Sequence, residues 1–326
     1  MDALGSGQAK GSRSSTRRGR VALVVALSVL PACTVGSGGG VGGGSMGPAV
    51  THLNDDVVTV GSFDFAESVI VAEVYSQGLE AAGFKVRRAF ELGPREFVGP
   101  ALAAGLVEFV PEYGGTAAEF YSVGRAKPTG DVVATHRALE GAVDGKPLVV
   151  LAAAPAQDAN TFVVTKTTAQ RFHLTTLSDL QSVAGQLKFG GPPECFGRPL
   201  CLAGLVDTYG LHFHELLTLD AGGPLTHQAL KQGLVDVALL FTTDSSMAQE
   251  GLVELVDDRG LEPAESITPL LRKEVVAQLG PDLVTAIDAV SAKLTTAAVR
   301  DLNGRARVAG AEPGAVAAAW WNEAKP

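Results

Sequence analysis

Apolar and polar positions recur in one order at two places along this 326-residue chain. Residues 101–116 read "ALAAGLVEFVPEYGGT" and residues 229–244 read "ALKQGLVDVALLFTTD". Ala, Leu, Gly, Leu, Val and then an acid fall in register, 128 residues apart. Each segment predicts the end of an apolar helix, a Gly suited to a C-cap, and a strand. The stretches upstream, "AAGFKVRRAFELG" and "TYGLHFHELLTLDAGG", match more loosely. Each unit therefore predicts helix, strand, helix, strand, and the pair predicts an α/β fold of two lobes with largely parallel sheets. A strand at Val57–Val60 opens the body, and the Asp64/Glu67 spacing of a capping box predicts a helix after it. Residues 152–165 and 254–271 are the expected crossovers. They divide the body into lobe 1 (55–158 plus 262–326) and lobe 2 (159–261). The amphipathic stretches towards the C-terminus, with Trp320 and Trp321, are expected to pack on lobe 1.

The N-terminal pattern is different. Lys10, Arg13, Arg17, Arg18 and Arg20 precede an apolar run, Val21 to Leu30, which is near signal-peptide length and short of the ~20 residues a membrane span needs. The run ends in "LPAC", which resembles a bacterial lipoprotein signal. The resemblance implies cleavage before Cys33, lipid on its thiol, a signal peptide over 1–32 and a Gly-rich tether over 33–54. An ordinary secretory signal with an incidental Cys is the other reading, and Arg17-Arg18 leaves twin-arginine export open. The first 32 residues hold five of the 26 basic and one of the 35 acidic side chains. The remainder, with 21 and 34, is strongly acidic. That argues against nucleic acid or an anionic membrane surface as a partner. The expected location is the outer face of the cell membrane, held by lipid alone.

In such an oxidising compartment, Cys195 and Cys201 of "PPECFGRPLCL" are expected to form a disulfide. A zinc site needs about four ligands, and a thioredoxin-like pair needs two intervening residues. His212 and His214 have no evident third metal ligand, so no metal or cofactor is expected. Ligands of open α/β sheets bind outside the carboxyl ends of strands. The repeat puts Tyr113 and Phe241 at such ends, with Thr116 and Asp244 three residues on. No nucleophile–base pair or nucleophile elbow accompanies them, which argues against an enzyme. A structural lipoprotein and a ligand sensor are the remaining competitors.

Five pieces in order, "VTVGSFDFAES", "LAAGLVEFVPEYGGTA", "PPECFGRPLCLAGL", "LKQGLVDVALLFTTDSSM" and "LVDDRGLEPAESITPLLRKEV", resemble the substrate-binding proteins of ABC importers for glycine betaine, choline and carnitine. The resemblance implies a type II periplasmic-binding-protein fold, two Rossmann-like lobes joined by two crossovers. It implies capture of a small osmoprotectant between them by a monomer, and delivery to a permease and its ATPase. Tyr113 and Thr116 match the family's motif, and Glu194 and Arg198 match its polar clamp. Phe241 stands where Tyr is often found, and Phe63 where Lys is. Asn160 and Glu265 stand in for two aromatics. The aromatic box that holds a quaternary ammonium thus reads as half present. A sugar, polyol or polyphenol is the alternative cargo.

Overall fold

Among the described residues, ten strands arrange into two five-stranded sheets of the same topology. The first holds β1 (Val57–Gly61), β2 (Lys85–Ala89), β3 (Phe109–Tyr113), β4 (Leu148–Val150) and β10 (Ile267–Arg272), in the order β2-β1-β3-β10-β4. The second holds β5 (Asn160–Thr165), β6 (Lys188–Gly191), β7 (Glu215–Thr218), β8 (Val237–Phe241) and β9 (Leu252–Glu254), in the order β7-β6-β8-β5-β9. This computed structural model describes residues 56–307 and 310–323, all within one unit that spans Pro48–Pro326. The signal segment, Cys33 and the tether lie outside the described residues.

The repeat strands β3 and β8 occupy the same place in their sheets. Each runs parallel to its neighbour on one side, β1 or β6. On the other side each pairs antiparallel with a strand that arrives from the opposite lobe, β10 or β5. The expected largely parallel sheets are therefore each interrupted by one antiparallel strand, because the crossover enters from the far side. The crossovers themselves meet at an antiparallel bridge, Gln157 to Ser266.

Burial follows the sequence pattern. β3 is buried along its whole length and β1 along all but its first residue, as central strands covered on both faces should be. β2, on an edge, carries Arg87 and Arg88, and Arg88 pairs with Glu73 and Glu80 on the adjoining helix. The predicted glycine ends are real: Gly105 at φ 77° closes the helix Arg95–Ala104, and Gly233 at φ 67° follows the helix Pro224–Lys231. The C-terminal helices pack on the helix Ala66–Ala81. Trp320 is buried there, and the Trp321 indole donates to the Val74 carbonyl at 3.1 Å. Neither tryptophan lines the cleft described next. Among the described residues, no helix is long and apolar enough to cross a membrane.

Candidate ligand-binding cleft

The ends of β3 and β8 face one cavity of about 900 Å³ of empty space, its open mouth included. In the strand register Tyr113 lies opposite Ile267, and Phe241 lies opposite Asn160. Each lobe therefore contributes one aromatic from a strand terminus. Two further rings, Phe63 and Phe65, come from the turn after β1. Phe65 is central to the group. Its ring centroid lies 5.8 Å from Phe63, 5.8 Å from Tyr113 and 5.3 Å from Phe241, the last a stacked contact from one lobe to the other. With Phe120, five rings line the cavity. The Arg95 guanidinium lies 5.1 Å above the Phe63 ring, so Phe63 already has a cation. The guanidinium–ring contacts of the described residues do not include Phe65, Tyr113 or Phe241.

Behind these rings a buried polar network joins the lobes. The Tyr113 hydroxyl donates to Glu67 at 2.9 Å, and the Asn303 amide donates to the same carboxyl at 2.6 Å. The Thr243 hydroxyl meets both Glu67 and, at 2.8 Å, Asp158. Burial, and then the neighbouring Glu67 charge, push the Asp158 carboxyl well above its usual range. Glu67 is thus not the reciprocal partner in a capping box. The helix starts at Ala66 with Phe65 as N-cap and no side-chain cap, while Ser68 accepts from the Phe63 N–H at 2.9 Å.

Glu265 is buried at the foot of the cavity. Its two oxygens accept the N–H groups of Gly115 (2.9 Å) and Thr116 (2.7 Å), at the start of the helix Gly114–Ser122. Burial pushes this carboxyl up to about 8, against the opposing pull of Arg95 and the two backbone donors. Thr116 lies beside it, with its hydroxyl 3.4 Å from Glu265. Asn160 spends its amide donors on the Leu200 carbonyl (2.8 Å) and on Glu262 (3.2 Å), so it braces the loop that carries the cysteines.

That loop forms the lobe 2 wall of the cleft mouth. Cys195 and Cys201 are bonded, with an S–S distance of 1.99 Å, and both line the cavity. Arg198 is held between them, its N–H on the Cys195 carbonyl and its own carbonyl on the Cys201 N–H. Glu194 lines the wall beside it. The Arg198 guanidinium forks onto Glu96 of lobe 1, at 3.1 and 2.7 Å. Partial burial pushes the Glu96 carboxyl up, but this fork outweighs it and leaves the group below its usual range. The buried Arg95 is likewise bound, to Glu112 at 2.9 Å. Both guanidiniums that line the cleft are thus occupied by glutamates of the protein itself.

Eight of the nine expected site residues line this cavity: Phe63, Tyr113, Thr116, Asn160, Glu194, Arg198, Phe241 and Glu265. Asp244 does not, and its equivalence with Thr116 fails. No helix follows β8, and residues 242–250 form turns instead. Asp244 there accepts from His227 at 2.7 Å and pairs with Arg307 at 3.3 Å. His227 is held on its other nitrogen by Glu250 at 2.7 Å. Burial lowers the imidazole pKa, but the two carboxylates more than reverse this and raise it. Phe65, Arg95, Glu96 and Asp158 were not foreseen. A second aromatic in "GSFDFAES" was the available signal for Phe65. Among the described residues, no group of three or more His, Cys, Asp or Glu side chains is placed to hold a metal ion.

Residues 56–323 match the family model for the substrate binding domain of an ABC-type glycine betaine transport system. The chain is 29% identical over 281 residues to the glycine-betaine-binding protein of Pseudomonas aeruginosa, covering 82% of this chain and 88% of that one. It is 28% identical over 276 residues to the glycine betaine-binding protein YehZ of Escherichia coli, covering 80% and 88%. A crystal structure of a glycine betaine/carnitine/choline ABC transporter superposes with a TM-score of 0.64 at 25% identity, covering 82% of this chain and 98% of the other. Both lobes and the cleft fall within the matched residues, and the matched role is solute capture for an importer, not catalysis. The chain belongs to the family of substrate-binding domains of ABC-type glycine betaine transport systems.

Proposed function

We propose that the protein captures a small quaternary ammonium osmoprotectant, of the glycine betaine, choline and carnitine type, between its two lobes and hands it to an ABC permease. The observation that carries this is the convergence of Phe65 and Tyr113 from lobe 1 with Phe241 from lobe 2 on one acidic cavity. Ring faces attract cations by roughly 0.5–2 kcal/mol each, more when water is excluded. The Tyr113 hydroxyl donates to Glu67, which enriches its ring and strengthens that attraction. A ligand that touches both lobes favours their closure, and the closed form is what the permease would recognise. Glycine betaine, carnitine and choline all appear in the names of similar proteins.

Thermal unfolding of the purified protein against a panel tests the reading. Glycine betaine, choline or carnitine should raise the midpoint, and common sugars, polyols and polyamines should not. A shift with sugars or polyols alone would overturn it. The proposal extends to export and lipidation at Cys33, supported by "LPAC" and the Gly-rich stretch after it. Fatty-acid labelling of cells should mark the protein and fail for Cys33→Ser; labelling that survives the substitution contradicts the anchor.

A further inference from the structure

The charges that line the cleft do not balance. Arg95 and Arg198 are each matched by a glutamate, Glu112 and Glu96. Asp64, Glu119 and Glu194 also line the cavity outside the ion pairs of the described residues, and Glu119 shares the fields of Arg95 and Arg198 with Glu112 and Glu96. Glu265 and Asp158 at its foot are buried carboxyls that burial pushes upward, so they supply polar groups there rather than further charge. A zwitterion such as glycine betaine brings a carboxylate as well as an ammonium. That carboxylate would have to lie among these acids or take the Arg198 fork from Glu96.

Glu96 is therefore more than a rim residue. It sits in the first turn of the helix Arg95–Ala104 and reaches across the mouth to the cystine-held Arg198. It fills the bidentate position that a ligand carboxylate would use. The acids around this pair are crowded: burial pushes the Glu119 carboxyl up despite the pull of Arg95 and Arg198, and the neighbouring Glu96 charge adds to the rise.

We propose that Glu96 is a specificity-determining residue, and that by occupying Arg198 it makes the cleft select an organic cation without a carboxylate over a zwitterion. This rests on the ammonium reading above. Choline and glycine betaine share a trimethylammonium head and differ in hydroxyl against carboxylate, so they are the probes. Calorimetric titration of the purified protein should give choline an affinity at least tenfold above that of glycine betaine. In Glu96→Gln the Arg198 fork is released, and glycine betaine should gain about tenfold while choline gains little. The gain should disappear in the Glu96→Gln, Arg198→Ala double variant, which separates a freed guanidinium from a general change of field.

Wild-type protein that binds glycine betaine as well as or better than choline would overturn the proposal and leave the ammonium reading standing. A preference for choline that Glu96→Gln does not alter would remove Glu96 from the role. Absence of binding by both probes would overturn the proposal together with the ammonium reading.

Discussion

The two sides of the cleft are joined in opposite ways. At the rear, Glu67, Asp158, Tyr113, Thr243 and Asn303 form a network that is buried or half-buried and joins five separate segments. At the mouth the ion pair of Arg198 with Glu96 spans the lobes at 30% and 44% side-chain exposure. Removing one member of a buried network leaves its partners stranded without water, whereas an exposed pair exchanges its partner for solvent at little cost. The rear thus fixes the relation of the lobes, and the mouth is free to be set by what enters it.

The largest effect should come from the rear. Glu67→Ala strands the Tyr113 hydroxyl and leaves the Asn303 amide only its longer bonds to Thr243, and should cost roughly 3 kcal/mol, read as a lower denaturant midpoint. His227→Ala should cost roughly 2–3 kcal/mol, because Asp244 and Glu250 lose the side chain between them. Its pH dependence has a definite sign. The imidazole pKa is raised in the folded protein, so its contribution is complete below the unfolded value near 6.5. It is lost as pH rises through the folded value. The wild type should lose stability above about pH 6.5 more steeply than His227→Gln; parallel curves would contradict the sandwich.

Effects at the mouth should be smaller in stability and larger in binding. Replacing Cys195 and Cys201 together with Ser should cost about 2 kcal/mol for so short a loop. It should weaken ligand affinity while leaving circular dichroism unchanged, because Arg198 and Glu194 lose their fixed positions. Unchanged affinity would reduce the bridge to a staple. Arg198→Ala should change the unfolding free energy by less than about 1 kcal/mol. A loss as large as that of Glu67→Ala would erase the distinction between the two sides.

How much of this was readable beforehand follows from the kind of signal involved. Strand ends carrying Tyr113 and Phe241 were legible because the repeat fixed both in the same local frame. The cysteine loop was legible from its spacing and compartment. Asp244 was misplaced because the repeat continues in sequence where the structure diverges. After β3, Gly115 enters a helix so tightly that a Cβ would lie 2.3 Å from Pro263, whereas Thr242-Thr243 enters turns. Glu67 had capping-box spacing, yet a deeper demand, three buried polar groups in search of an acceptor, turned it inward. Glu96 was invisible because its partner is 102 residues away in the chain, and only the folded lobes bring them together.

The central claim is that aromatic faces and acids hold a positive charge in the cleft. Choline and 3,3-dimethylbutan-1-ol have nearly the same shape, and only choline is charged. Calorimetric titration of the two into the purified protein should give choline at least a tenfold advantage. Equal affinity, or binding of the neutral alcohol alone, would mean that the rings act as a greasy wall and that no cation site exists there.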